Sequence, residues 1–173
     1  NKYGPAGTRA WEQAGQQALL SDPKEPTFIQ TPFSKPDKSV QKSTGKLKLG
    51  EDGTLEGDVR IEMTGHLARL AKEGNDEKTQ PEREEVLRGL VKRHMSTAEL
   101  SDIRIEANLE DAAKPFVYAF RVKVPGYAQR TGKRLFLQPT FFQYGDPAVF
   151  TTSERKHAVY FHYAWTEDDA VEI

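Results

Sequence analysis

KLKLGEDGTLEGDVRIEMT, residues 46–64, decides the fold. In its second half Leu55, Gly57, Val59, Ile61 and Met63 fall on one side of a period-two chain, and Thr54, Glu56, Asp58, Arg60 and Glu62 on the other. That is the pattern of a half-buried antiparallel strand, one face core and the other water. Leu47 and Leu49 repeat the alternation before Gly50-Glu51-Asp52-Gly53, and Asp-Gly between two alternating runs is a strong hairpin signal.

Outward from the hairpin the chain reads in order. Residues 1–26 carry Ala10, Trp11, Ala14 and Ala18 at helical spacing, yet Gly7 and Gly15 weaken a helix, and Ala18-Leu19-Leu20 also fits a short strand. Pro23, Pro26, Pro32 and Pro36 forbid a helix over 21–39 and allow at most an edge strand at 27–30. Residues 1–39 are thus expected to form a Pro-rich arm or linker laid on a β-rich domain of residues 40–173. A helical insert is expected at about 65–95: Leu67, Leu70 and Ala71 stripe a short first helix stopped by Gly74. A second helix starts at Pro81, with acids in its first turn and an apolar stripe of Val86, Leu87, Leu90 and Val91.

Period two returns at 103–109 and 116–124, with Lys133 to Gln138 a further short strand. His157 to Trp165 is apolar on both faces, which predicts a central or covered strand before an acidic turn, Glu167-Asp168-Asp169, and a last strand beginning at Val171. The fold class expected is mainly β (α+β): an antiparallel β-sandwich-like domain of about seven strands with two helices inserted between strands.

Composition limits the chemistry. With 36% hydrophobic and 29% charged residues, a chain of 173 is expected to bury one thin core beneath a charged surface. A net charge of −1, from 25 basic and 26 acidic residues, gives no long-range field to gather nucleic acid or an anionic membrane. The absence of cysteine excludes disulfides, thiolate catalysis and cysteine metal ligation within these residues. No uncharged apolar run approaches the roughly 18 residues of a membrane span, and Asn1 opens no signal peptide, so a soluble, excised piece without direct membrane insertion is expected.

Catalytic motifs are weak. Five residues, not four, separate Gly126 from Gly132-Lys133, and Arg134 stands where a phosphate loop needs Ser or Thr. His66, His94, His157 and His162 lack the spacing of a metal site. Ser96, Ser101 and Ser153 sit in no nucleophile elbow and read as solvated turn residues. The acid pairs Glu167/Asp168 and Asp102/Glu106 read as solvated rather than calcium-binding. Arg121, Lys123, Arg130, Lys133 and Arg134 interleave with Tyr127 and Phe136, but in a net acidic chain they suit a wet sheet face better than nucleic acid. No catalytic, cofactor-binding or metal residue is therefore assigned, and no cofactor. One candidate ligand or partner surface remains: Phe141, Phe142 and Tyr144, with Phe150 and Trp165.

Several short patterns carry a resemblance. They are Thr31-Pro32, Leu47 to Gly57, Thr64-Gly65-His66-Leu67-Ala68, Pro115-Phe116, Gly132-Lys133-Arg134-Leu135 with Pro139, and Arg155 ahead of Val159 to Tyr163. In this order they resemble the β-rich region that follows the papain-like core of bacterial transglutaminase-like multidomain proteins. The resemblance implies a non-catalytic accessory domain, partnered by the other domains of its own chain, in an extracytoplasmic setting such as the periplasm or cell envelope. The Cys, His and Asp of such a core would precede Asn1, so no active-site residue carries over. The alternative is a carbohydrate- or peptide-binding module that uses the aromatic cluster.

Overall fold

The computed structural model of the chain describes residues 2–146, 151 and 153–173. Its elements are β1 (Gln17–Leu20), β2 (Thr27–Gln30), β3 (Val40–Leu49), β4 (Leu55–Met63), α1 (Gly65–Asn75), α2 (Gln80–His94), β5 (Glu99–Glu106), β6 (Phe116–Val124), β7 (Gln129–Thr131), β8 (Arg134–Phe136) and β9 (Thr166–Glu172). Five strands form the main sheet in the order β5-β6-β4-β3-β9, all antiparallel except β9, which runs parallel to β3. β1-β2 and β7-β8 are separate two-stranded ribbons.

The hairpin read from residues 46–64 is β3-β4, with Leu47 opposite Gly57 and Gly45 opposite Val59. Gly53 closes it at φ +83, and a Cβ there would lie 2.3 Å from the Ala128 carbonyl oxygen, whose residue in turn donates its N–H to Gly53 O at 2.9 Å. Only glycine meets both demands. β6 pairs with the other edge of β4, setting Val124, Val122, Phe120, Tyr118 and Phe116 beside Leu55, Gly57, Val59, Ile61 and Met63. One face of three strands is thereby apolar and continuous.

That face is covered by helices, not by a second sheet. Ala68 and Ala71 of α1 and Leu87, Val91 and Met95 along α2 and its C-terminus join the same core as Leu55, Val59 and Phe120. The expected sandwich of about seven strands is in fact two layers, helices on a mixed five-stranded sheet, with nine strands in all among the described residues. Both helix starts are capped by a side chain. Thr79 and Glu82 form a capping box at α2, Glu82 accepting the Thr79 N–H at 2.7 Å. At α1 the cap comes from elsewhere in the chain: the buried Ser39 hydroxyl accepts the His66 N–H at 3.1 Å. Helix α1 runs one residue past Gly74, the expected stop.

Lys72 lies wholly buried on α1, its ammonium donating to the carbonyls of Asp111 and Lys114 at 2.7 Å each. It ties the helix to the β5–β6 connection, since a buried charge is tolerated only with such partners. Burial pushes its pKa down.

Three further expectations are corrected. His157 to Trp165 belongs to no strand; the last strand is Thr166–Glu172 and includes Glu167, Asp168 and Asp169, which were expected in a turn. An edge position lets so acidic a strand pair on one side and stay exposed on the other. Within 157–165, His162 and Tyr163 stack instead on Trp11 of the N-terminal arm, and Phe161 and Trp165 pack on each other. Finally, Leu90 is 39% exposed, whereas Leu87 is 2% exposed. Leu87→Ala should accordingly cost about 2–5 kcal/mol of folding free energy and Leu90→Ala much less, measured by urea denaturation; equal losses would mean α2 is rotated from this packing.

Candidate functional site

Phe141, Phe142 and Tyr144 come together as expected. A 3-10 turn over Phe141–Gln143 follows Pro139, whose carbonyl accepts the Phe141 N–H at 3.0 Å. Phe141 is buried and meets Phe142 edge-on with ring centroids 5.2 Å apart, while Tyr127 stacks on Tyr144 at 5.0 Å. Most of this ring surface is core. What is left open is a cleft of about 300 Å³ between the turn, α2 and the sheet, walled by Phe142, Tyr144, Leu90, Met63 and His94. His94 Nδ1 lies 2.9 Å from Asp146 and ties the end of α2 to the residues after the turn.

Trp165 is not part of that cluster. It packs against Phe161 and Tyr163, at 5.8 and 6.0 Å, and its indole N–H donates to Glu167 at 3.0 Å. Phe150 lies outside the described residues. Trp165 belongs to a second surface, where residues 161–165 face the N-terminal arm across an open cavity of about 520 Å³ lined by Ala14, Phe33, Phe161 and Trp165. Phe33 is 63% and Phe161 58% exposed.

This arm side is built from three segments held together by rings and one histidine. Trp11 stacks on His162 at 4.4 Å, and Tyr163 lies 4.9 Å from His66 at the start of α1. His66 Nε2 meets Ser34 Oγ at 3.2 Å, and Arg69 one turn on pairs with Glu12 at 3.2 Å and Glu73 at 2.8 Å. Beyond these contacts projects the β1-β2 ribbon, with Leu19 opposite Phe28 and Ala18 opposite Ile29. Leu19, Leu20, Phe28 and Ile29 are all exposed, so both faces of the ribbon are apolar and uncovered among the described residues. The sequence signal was there in two short apolar runs, Ala18-Leu19-Leu20 and Phe28-Ile29, set among prolines.

The remaining candidates fall apart in space or pair with one another. Glu167 and Asp168 are neighbours in β9 and so point to opposite faces of the sheet. Asp102 sits at φ +50 in a β5 irregularity between Ser101 and Arg104. On the wet face Arg60 bridges Glu62 and Glu106, and Arg121 lies 3.8 Å from Glu56 and 3.7 Å from Asp58. Arg130 donates to the backbone of Gly132 and Glu51. Among the described residues no three His, Asp or Glu side chains gather as a metal site, and no helix is long and apolar enough to cross a membrane. Ser34 Oγ meets the His66 ring, and among the described residues no carboxylate hydrogen-bonds that ring to orient it as a base.

Comparison with family models, with characterised proteins and with solved structures finds no match to this chain.

Burial, and next the Arg69 guanidinium, hold the His66 imidazole below its usual pKa, with Glu12 acting weakly the other way. The unfolded chain therefore takes up this proton first, so stability is full above the ordinary histidine value of about 6.5 and falls as pH drops through it. Urea midpoints should decline from pH 7 to pH 5, and His66→Gln should remove part of that slope; parallel slopes in the two proteins would show that His66 is not strained by protonation.

Proposed function

We propose that this chain is a non-catalytic interaction domain of a larger bacterial transglutaminase-like protein, and that its arm side is where the rest of that protein sits. The observation that carries the reading is the β1-β2 ribbon, two short strands apolar on both faces with no covering layer among the described residues. An isolated two-stranded ribbon is at best marginally stable in water and needs a third strand or a packed layer. Contiguous exposed apolar surface of this kind marks a contact with another globular unit. Phe33, Phe161 and Trp165 add further exposed apolar side chains around the cavity of about 520 Å³. The wet face of the sheet, by contrast, pairs several of its charges within itself.

The order of short patterns from Thr31-Pro32 to Pro139 supports the family, and with it an extracytoplasmic setting. In this reading the acyl-transfer machinery belongs to the preceding core, and this domain supports or presents it. The test is titration calorimetry of the chain against the isolated core encoded ahead of Asn1. Saturable binding is expected, and Leu19→Glu with Phe28→Glu should weaken it by about tenfold or more, as loss of buried anchors does. Those substitutions are on exposed side chains, so the melting temperature of the free chain should hold.

A second reading rests on the cleft beside Phe142 and Tyr144, which would make the chain a glycan- or peptide-binding module. Screening glycans and peptides by the same calorimetry separates the two. Saturable binding lost in Phe142→Ala, with no affinity for the core, would replace the first reading by the second.

A further inference from the structure

A third cavity, of about 390 Å³, opens between the first turn of α1 and the arm segments 4–9 and 32–39. Arg9, Lys38 and Arg69 all face it, and no Asp or Glu does. Arg69 is already occupied by Glu12 and Glu73. Arg9 and Lys38 have no carboxylate within ion-pair distance among the described residues, in a chain that carries one more acid than base. The cavity's apolar lining residues are Pro5, Pro32 and Phe33. A concave site with one sign of charge concentrates the opposite sign, and guanidinium and ammonium groups take carboxylates through charge-assisted hydrogen bonds.

We infer that this cavity binds a small organic carboxylate, its anionic end held by Arg9 and Lys38 and its apolar body laid on Phe33 and Pro32. The volume exceeds what a bare oxyanion fills, and the apolar lining would be wasted on one. Burial, and next Arg69, hold the imidazole of His66, which also lines the cavity, below its usual pKa.

Calorimetry with three probes tests the inference: benzoate, acetate and inorganic phosphate, at low ionic strength, with amide shifts at Thr8, Ser34 and Gly65 to locate the site. Benzoate should bind saturably and more tightly than acetate or phosphate. The Arg9→Ala, Lys38→Ala double variant should weaken benzoate by about tenfold, and Phe33→Ala should weaken benzoate but not acetate. Both basic residues are exposed, so an unchanged melting temperature would confirm that the double variant is folded. Absence of saturable benzoate binding, phosphate binding more tightly than benzoate, or a double variant that binds as well as the parent would each overturn the inference.

Discussion

Strand β4 is the constraint on which the rest depends. It is hydrogen-bonded along both edges, to β3 and to β6, so its nine residues fix the register of three strands at once. With a side-chain period of two, a slip of one residue would carry Leu55, Val59 and Ile61 to the wet face and Asp58 and Arg60 into the core. Gly57 sharpens the constraint: a Cβ there would lie 2.1 Å from the Lys46 carbonyl oxygen, so β3 and β4 approach closely only in the register that sets Gly57 opposite Leu47. The helices then have one apolar surface to cover, and α1 follows β4 with only Thr64 between.

From that arrangement the two sides of the molecule acquire different roles. One sheet face is consumed by α1, α2 and the aromatic turn; on the other, Arg60 and Arg121 pair with neighbouring acids. Among the described residues, the open apolar surface there is the cleft beside Phe142 and Tyr144. The arm side leaves several large apolar side chains open, because residues 2–39 and 157–165 are tied to α1 and its C-cap by ring contacts, by Ser34 and Ser39 on His66 and by the Glu12–Arg69 and Lys2–Asp76 pairs rather than by sheet bonding. Leu19 and Phe28 on the ribbon, and Phe33, Phe161 and Trp165 around the neighbouring cavity, consequently remain exposed. Apolar area at about 25 cal/mol per Å² is costly to leave in water, and a bound neighbour would remove that cost.

Legibility followed the strength of local signals. β3, β4 and β6 were readable because alternation is strict where one face is buried, and α2 because Pro81, the acids of its first turn and the apolar stripe agree on one helix start. The layer opposite the sheet was not readable, since periodicity says that a face is buried but not whether helix or sheet buries it. Residues 157–165 misled for a related reason: rings that stack on Trp11 and His66 produce the same two-sided apolar pattern as a covered strand. For the site, Phe141, Phe142 and Tyr144 are neighbours in sequence and their proximity is legible, whereas no local signal shows that Trp165 faces Phe161 and Tyr163. Leu19 and Phe28 were missed as a surface because a four-residue strand carries too little period to show that both of its faces are uncovered.

Amide hydrogen exchange, compared between this chain alone and the longer protein proposed to contain it, tests the central claim most directly. In the chain alone, the amides of β1 and β2 should exchange fast while those of β3, β4 and β6 exchange slowly. In the longer protein the slow set should be unchanged, and protection should appear in residues 17–30 and around Phe33 and Phe161. Unchanged fast exchange across β1 and β2 in the longer protein would contradict the account, because it would leave the arm side as uncovered there as it is in the chain alone.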